Sequence, residues 1–149
     1  MGAFMLRGTS YSQGKVDLLL TSKEKIKTKQ IAPLKWEVIK EFLFYSFLLR
    51  QWIVIPIGFI TDYASVPWPI VLFIKRRGRH GTAAVIHDLL YRYQPCSRLL
   101  ADLVMYERMA IDGVSFTKAN IILLGLRLGG QFAWDWHTRR NKQKKERKR

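Results

Sequence analysis

This sequence contains only one cysteine and no long apolar run. Cys96 is the only thiol among 149 residues, which excludes an internal disulfide and any metal site built from several cysteines. The most apolar segments, 42–60 and 121–134, are interrupted by polar residues such as Arg127, so neither offers the roughly 20 uninterrupted apolar residues of a membrane-spanning helix. Residues 1–15 contain no continuous apolar segment, and we therefore expect no secretory signal.

Acidic residues are also scarce, because 11 Asp and Glu face 26 Lys and Arg and leave a net charge of +15. The excess is concentrated in two clusters, around residues 75–79 and in residues 139–149. We expect these cations to bind an anionic partner such as DNA, lipid or an acidic protein, with a merely solubilising role as the alternative. The cluster residues are Lys75, Arg76, Arg77, Arg79, Arg139, Arg140, Lys142, Lys144, Lys145, Arg147, Lys148 and Arg149.

The hydrophobic content of 48% is sufficient for one core, so we expect a single domain over residues 1–137 and a hydrophilic basic extension over 138–149. The first half is rich in β-forming residues, and its patterns predict a small antiparallel sheet. The Lys-rich segment Ser22–Pro33 is expected to be a loop. The predicted strands are Lys15–Thr21, Leu34–Phe42, Phe44–Leu49 and Trp52–Ile55.

The second half has helical periodicity, so the predicted fold class is α+β. Pro67 and Pro69 predict an irregular loop over Asp62–Pro69. Three helices follow: Thr82–Tyr93, then Arg98–Ile111 with Ser97 as N-cap, and a third that Ser115 caps and that runs towards His137. In the third helix, Gly125, Gly129 and Gly130 indicate either close packing or a break near residues 129–130.

Several polar side chains are predicted to converge where the helices meet. His87 and Tyr91 lie four residues apart on one helix face, and the short connection after Tyr93 makes the first two helices antiparallel neighbours. Asp102 on the second helix is therefore expected near His87 or Tyr91. Thr61, Asp62 and Ser65 are expected to approach from the turn region.

Three chemistries fit this group. His87 held by a carboxylate, Asp102 or Asp62, would be a general base. Ser65 would be a nucleophile if His87 reached it, and Asp62, Asp88 and His87 together would be ligands for a hard cation. The alternative is purely structural: Asp62 caps its own turn, the His87–Asp88 pair anchors the helix, and Arg98 pairs with Asp102 along the helix face.

A longer pattern spans these positions. It reads Ile55-Pro56-x-Gly58-Phe59-x-Thr61-Asp62-x-Ala64-Ser65-Val66-Pro67, then His87-Asp88-x-Leu90-Tyr91, then Ser97-Arg98-x-x-Ala101-Asp102 and Met109. In order and spacing it resembles the domain-of-unknown-function family numbered thirteen fifty-three, found in bacteriophages and prophages, over roughly residues 50–135. This resemblance implies a small single-domain phage protein and brings no established activity.

The two-helix segment is also similar to the active-site helix pair of phospholipase A2. That resemblance implies His87 as the base that activates water, Asp88 as a calcium ligand and Asp102 as the group that orients the histidine. This chain departs from the pattern because it lacks the glycine-rich calcium loop and the flanking cysteines. Calcium is expected only under this alternative, and otherwise we expect no cofactor.

Two functions follow as hypotheses. The first, which the sequence favours, is a non-enzymatic virion component or assembly factor of the tail, neck or connector. It would lie in a multimeric assembly in the virion or in the host cytoplasm, dock to phage structural proteins and contact DNA through its basic end. The alternative is a phage hydrolase of cell-envelope lipid or peptidoglycan that uses His87 with Asp102 or Asp62.

Overall fold

The chain runs from strands into helices in a computed structural model that describes residues 24–63 and 78–148. The strands are β1 (Thr28–Ala32), β2 (Lys35–Val38), β3 (Phe42–Ser46), β4 (Gln51–Ile55) and β5 (Ile60–Thr61). The helices are α1 (Gly81–Tyr93), α2 (Arg98–Ile111) and α3 (Phe116–Glu146). This order confirms the predicted α+β class. The predicted strand Lys15–Thr21 lies outside the described residues.

The strands form two small antiparallel sheets, one with the order β1-β2-β5 and the other with β3 paired to β4. In β3, Phe42, Phe44 and Ser46 are buried and alternate with half-buried residues, as expected for a strand with one face on the core. The predicted strand Leu34–Phe42 is wrong as one element, because β2 ends at Val38 and β3 begins at Phe42 in the other sheet.

The loop predicted over Ser22–Pro33 is also wrong, because it contains β1. This strand lies at the edge of its sheet and exposes most of its side chains, so hydrophobic alternation is absent from its sequence. Backbone pairing with β2 holds it, and Leu34 makes the tight turn between them with a left-handed φ of 60°. β5 was not predicted, since two residues are too few to form a pattern.

The helix ends follow local signals for the most part. Gln94 adopts the left-handed conformation just before Pro95 and closes α1 by donating its backbone N–H to Leu90 O. The Ser97 hydroxyl accepts a hydrogen bond from the Leu100 N–H at 3.3 Å, which confirms it as the N-cap of α2. Ser115 occupies the N-cap position of α3, but its side chain makes no capping hydrogen bond.

α3 is continuous through Gly129 and Gly130, so the predicted break is absent, and close packing explains Gly130, which is buried, but not Gly129, which is exposed. A Cβ added at Gly130 would lie 2.7 Å from the Tyr91 hydroxyl oxygen, which means that only glycine lets the two helices approach this closely. The helix ends at Glu146 rather than near His137, and most of the predicted extension is therefore helical. The Asn141 side chain ties this part to α1 by donating to Arg92 O at 3.0 Å.

α1 is the central element of the core. All its residues from Gly81 to Tyr91 are buried except the half-buried Asp88, and a helix that is buried on every face must be covered by other elements. α2, α3 and β4 all pack against it. Within the described ranges, no helix is long and apolar enough to cross a membrane.

We expect Gly130→Ala to destabilise the protein. The added methyl group would contact the buried Tyr91 hydroxyl, and overpacking of this kind costs about 1–3 kcal/mol, which exceeds the gain of about 1 kcal/mol in helix propensity. Gly129→Ala is the matched control, because Gly129 is exposed and should gain stability from the same change. Urea unfolding of both variants measures the difference, and equal stabilisation would contradict the packing role of Gly130.

Candidate functional site

The site is built around the carboxylate of Asp102, which has no exposed surface and receives three side-chain hydrogen bonds. His87 Nε2 lies 2.9 Å from Oδ1, and the Tyr91 hydroxyl donates to the same oxygen at 2.7 Å. Arg127 Nη1 donates to Oδ2 at 2.9 Å. A buried charge is tolerated only when its partners replace water, and here donors from two other helices do so.

Helix spacing explains how these groups meet. His87 and Tyr91 are separated by one turn of α1, and their rings lie 4.0 Å apart between centroids. The short connection to α2 brings Asp102 opposite them. Asp102 was predicted near His87 or Tyr91, and it contacts both. Arg127 was not predicted to belong to this cluster. Its only signal was a single cation within the apolar segment 121–134.

The protonation states follow from these contacts. Burial acts to raise the pKa of Asp102, but the hydrogen bonds from His87, Tyr91 and Arg127 outweigh it and hold that pKa below its usual value of 3.8. Burial and the hydrogen bond to Asp102 raise the pKa of Tyr91, which therefore keeps its proton. Because an ionised carboxylate only accepts, Nε2 of His87 carries a proton, and in the neutral ring Nδ1 is then the acceptor.

Arg98 does not pair with Asp102 as the helix-face interpretation predicted. Its Nη1 donates to the backbone carbonyl of Leu126 at 3.3 Å, and the ion pair with Asp102 is made by Arg127. The reason is that the Asp102 side chain is directed towards α1 and α3, where its hydrogen-bond partners lie, rather than along α2 towards Arg98.

An open groove of about 820 Å³ runs between α1, α3 and the end of β5, and His87 contributes to its wall. Asp88 and Tyr91 line it beside His87. Its lining consists of Lys35, Ile60, Thr61, Asp62, His87, Asp88, Tyr91, Arg92, Tyr93, Leu126, Gly129, Gly130, Phe132, Ala133, Trp136, His137, Arg140, Asn141 and Lys144. Potential catalytic groups and several cations therefore share one cavity.

The end of β5 lies against α1 at this groove. The Thr61 hydroxyl donates a hydrogen bond to the Asp88 carboxylate and accepts one from the Tyr63 N–H at 3.1 Å. Asp62 is exposed and lines the same groove, so Thr61 makes the contact with α1 that the sequence analysis expected of the loop. The predicted nucleophile Ser65 lies outside the described residues, and so does most of the loop Asp62–Pro69.

The described residues do not assemble a metal site. No three His, Cys, Asp or Glu side chains within residues 24–63 and 78–148 are grouped so that they could hold an ion. Asp88, the predicted calcium ligand, is engaged by Thr61 instead, and Asp62 is the other carboxylate in the groove. The part of the chain that the structure describes thus supplies no ligand set for the calcium of the phospholipase-like alternative.

The thiol of Cys96 is not a suitable nucleophile. Burial, with a contribution from Asp102, raises the pKa of Cys96 to about 11, so the thiol stays protonated near neutral pH. Cys96 is therefore not the group that a base at His87 would activate.

The basic clusters are only partly described. Lys75, Arg76, Arg77 and Arg149 lie outside the described residues, and Arg79 donates to Gly113 O at 3.3 Å. Arg140 and Lys144 line the groove, and the Arg140 guanidinium lies 5.1 Å from the centroid of the Trp136 ring. The other described cations of this end, namely Arg139, Lys142, Lys145, Arg147 and Lys148, are exposed.

We expect Asp102→Asn to lower stability near neutral pH by about 1–3 kcal/mol, because the charge-assisted hydrogen bonds are lost. The folded-state pKa of Asp102 lies below its unfolded value, so its contribution is present above pH 3.8 and is lost as the pH falls through the folded pKa. The variant should therefore lose less stability than the wild type on acidification. Urea unfolding near pH 7 and near pH 3 tests this, with Asp135→Asn on α3 as the control. Parallel curves for Asp102→Asn and the wild type would contradict it.

The comparisons with known proteins agree with the sequence pattern. The family described as "Protein of unknown function (DUF1353)" matches the chain over residues 36–126, from β2 into α3, and covers every residue of the Asp102 cluster except Arg127. No match was found among curated proteins or among solved structures. Because the family match spans more than half of the sequence, the chain belongs to this family of proteins of unknown function.

Proposed function

We propose that this protein is a hydrolase that cleaves an acyl bond of the bacterial cell envelope, either an ester of a lipid or an amide of peptidoglycan, with His87 as general base and Asp102 as the residue that orients it. The observation that supports this proposal is the buried Asp102 carboxylate, which is fixed by three donors and holds His87 in the wall of an open groove. If His87 served only to join the helices, it would not need to line a groove, and His87 does line one.

The geometry defines the steps of the proposed reaction. Since Nε2–H of His87 donates to Asp102, Nδ1 accepts the proton of a water molecule as its oxygen attacks the ester carbonyl carbon. The imidazolium that forms is stabilised by the ionised carboxylate. Breakage of the ester C–O bond then produces an alkoxide, which takes the proton from Nδ1. Tyr91 and Arg127 hold Asp102 in place throughout.

The substrate proposal follows from the lining of the groove. Ile60, Phe132, Ala133 and Trp136 supply apolar surface beside the polar groups, as a lipid or another amphiphilic envelope molecule would need. Passage through the cell envelope is also a step that a phage must accomplish, and a phage context is what the sequence resemblance implies. An ester of an envelope lipid is therefore the first substrate to test, and peptidoglycan is the second.

We expect His87→Gln to reduce hydrolysis by about 10²–10⁴-fold, because a glutamine side chain can replace the hydrogen bond to Asp102 but cannot accept a proton at that position. His80→Gln is the control. His80 is also fully buried but does not line the groove, and its ring nitrogens have no hydrogen-bond partner among the described residues.

Release of fatty acid from mixed lipid vesicles and of fragments from purified peptidoglycan measures the activity, and urea unfolding separates activity from folding. The proposal fails if the wild type cleaves neither substrate or if the two histidine variants lose equal activity.

A role in the particle is the second candidate, and the exposed face of α3 favours it. Ile121, Leu124, Leu128 and Phe132 form an exposed apolar stripe, and Leu128 and Phe132 are 78% and 83% exposed. The helix then continues into its basic end. A virion component or assembly factor would place the stripe against a neighbouring structural protein and the cations against DNA.

Charge substitutions at the basic end test this candidate. The variant changes Arg139, Lys142, Lys145, Arg147 and Lys148 to Gln, and spares the groove residues Arg140 and Lys144. We expect weaker duplex DNA binding and a salt dependence reduced by about 0.9 per lost phosphate contact in a plot of log affinity against log salt. The control removes the same charge elsewhere, at Lys25, Lys27, Lys29, Lys40 and Lys118. Equal weakening in both variants would show that only the net charge matters and would exclude a specific role for the basic end.

A further inference from the structure

The charges in the groove are distributed unevenly along its length. The two carboxylates, Asp62 and Asp88, lie at the end where β5 meets α1 and where His87 is found. The other end lies between the last turn of α1 and the second half of α3, and we call it the basic end of the groove. It is formed by His137, Arg140 and Lys144, and Arg92 lies between the two ends, because it donates to Ile60 O of β5 and also acts on His137.

Hydrogen bonds hold the backbone around the basic end of the groove. Asn141 donates to Arg92 O at 3.0 Å, and Gln94 Nε2 donates to Trp134 O and to the Thr138 hydroxyl, both at 2.9 Å. These contacts fasten α3 to the end of α1. The backbone positions that carry the cationic side chains are thus set by the fold.

Two guanidinium groups are positioned by their own contacts. Arg92 donates to Ile60 O at 2.9 Å, and its guanidinium lies 4.5 Å from the centroid of the Phe59 ring. Arg140 lies over Trp136, which is itself in the groove wall. Stacked guanidinium groups keep N–H donors directed outward in a fixed plane, and that arrangement matches the oxygens of a phosphate group.

These cations lack a carboxylate partner among the described residues. The ion pairs within residues 24–63 and 78–148 use Lys40, His87, Arg108 and Arg127 instead. The pKa of His137 is lowered by burial and then by Arg92 and Arg140, so both guanidinium groups act on the same ring. The basic end of the groove therefore brings together cations that take part in none of these ion pairs.

We propose that the basic end of the groove binds the phosphate group of an organic phosphate ligand. Arg140 and Lys144 contact the phosphate oxygens, while Trp136 and Phe132 contact the apolar part of the same molecule. This inference rests on the proposed function for its biological meaning, because the ligand would be a phosphate-bearing ester whose acyl bond lies near His87. Binding itself does not depend on hydrolysis.

The test compares two double variants. Arg140→Gln with Lys144→Gln removes two cations that line the groove, and Lys142→Gln with Lys145→Gln removes the same charge from positions on the same helix that do not line it. Isothermal titration with three probes measures binding: inorganic phosphate, a short-chain phosphatidylglycerol below its micelle concentration, and the corresponding phosphatidylcholine. We expect the first variant to weaken phosphatidylglycerol binding by about tenfold or more and the second to leave it within about twofold.

The probes also distinguish the source of the phosphate. Tighter binding of the lipid than of inorganic phosphate supports recognition of the whole amphiphile, and equal binding supports recognition of the phosphate alone. Absence of binding for both anionic probes, or equal weakening in the two variants, overturns the proposal. The His87→Gln variant separates this proposal from the proposed function. If the variant still binds the anionic probes and the wild type hydrolyses neither substrate, the proposed hydrolase is refuted and the phosphate site is retained.

Discussion

The interaction on which the rest of this structure depends is the solvation of one buried carboxylate by side chains. Asp102 has no contact with water, and an unpaired ion in such a place would cost several kcal/mol. α1 supplies two donors through His87 and Tyr91, and α3 supplies the third through Arg127. Each donor reaches the carboxylate only in one helix register. The hydrogen bonds that offset the free energy of burying Asp102 therefore also fix the positions of the three helices relative to one another.

That register explains the shape of the site. Tyr91 must stay within hydrogen-bonding reach of Asp102, and Gly130 leaves room for its hydroxyl where any Cβ would clash. Trp134 packs edge-on against the Tyr91 ring, with 5.0 Å between centroids, and completes the wall. His87 is thereby fixed with Nε2 against the Asp102 carboxylate, and only 2% of the residue is exposed. A nearly buried imidazole with a fixed proton on Nε2 is thus a product of helix packing.

Local signals in the sequence predicted the elements whose causes are local. The Ser97 cap and the spacing of His87 and Tyr91 depend on neighbours within one turn, and a short connection is sufficient to place Asp102 opposite them. β1 left no such signal, because an exposed edge strand is held by backbone bonds that any side chain permits. Arg127 is 25 residues from Asp102, and no periodicity in the sequence encodes a pair at that separation. The length of α3 was missed because a charged run has the same composition whether it is helical or disordered.

The length of α3 has a mechanical consequence. A helix of 31 residues extends about 47 Å, and its first half is clamped by the core while its second half carries most of the free cations. Gln94 and Asn141 fasten this second half to α1 as well, through Trp134, Thr138 and the carbonyl of Arg92, so the helix continues for little more than one turn past its last fixed point. A surface that binds the charged tip is therefore held in a set orientation relative to the groove beside His87.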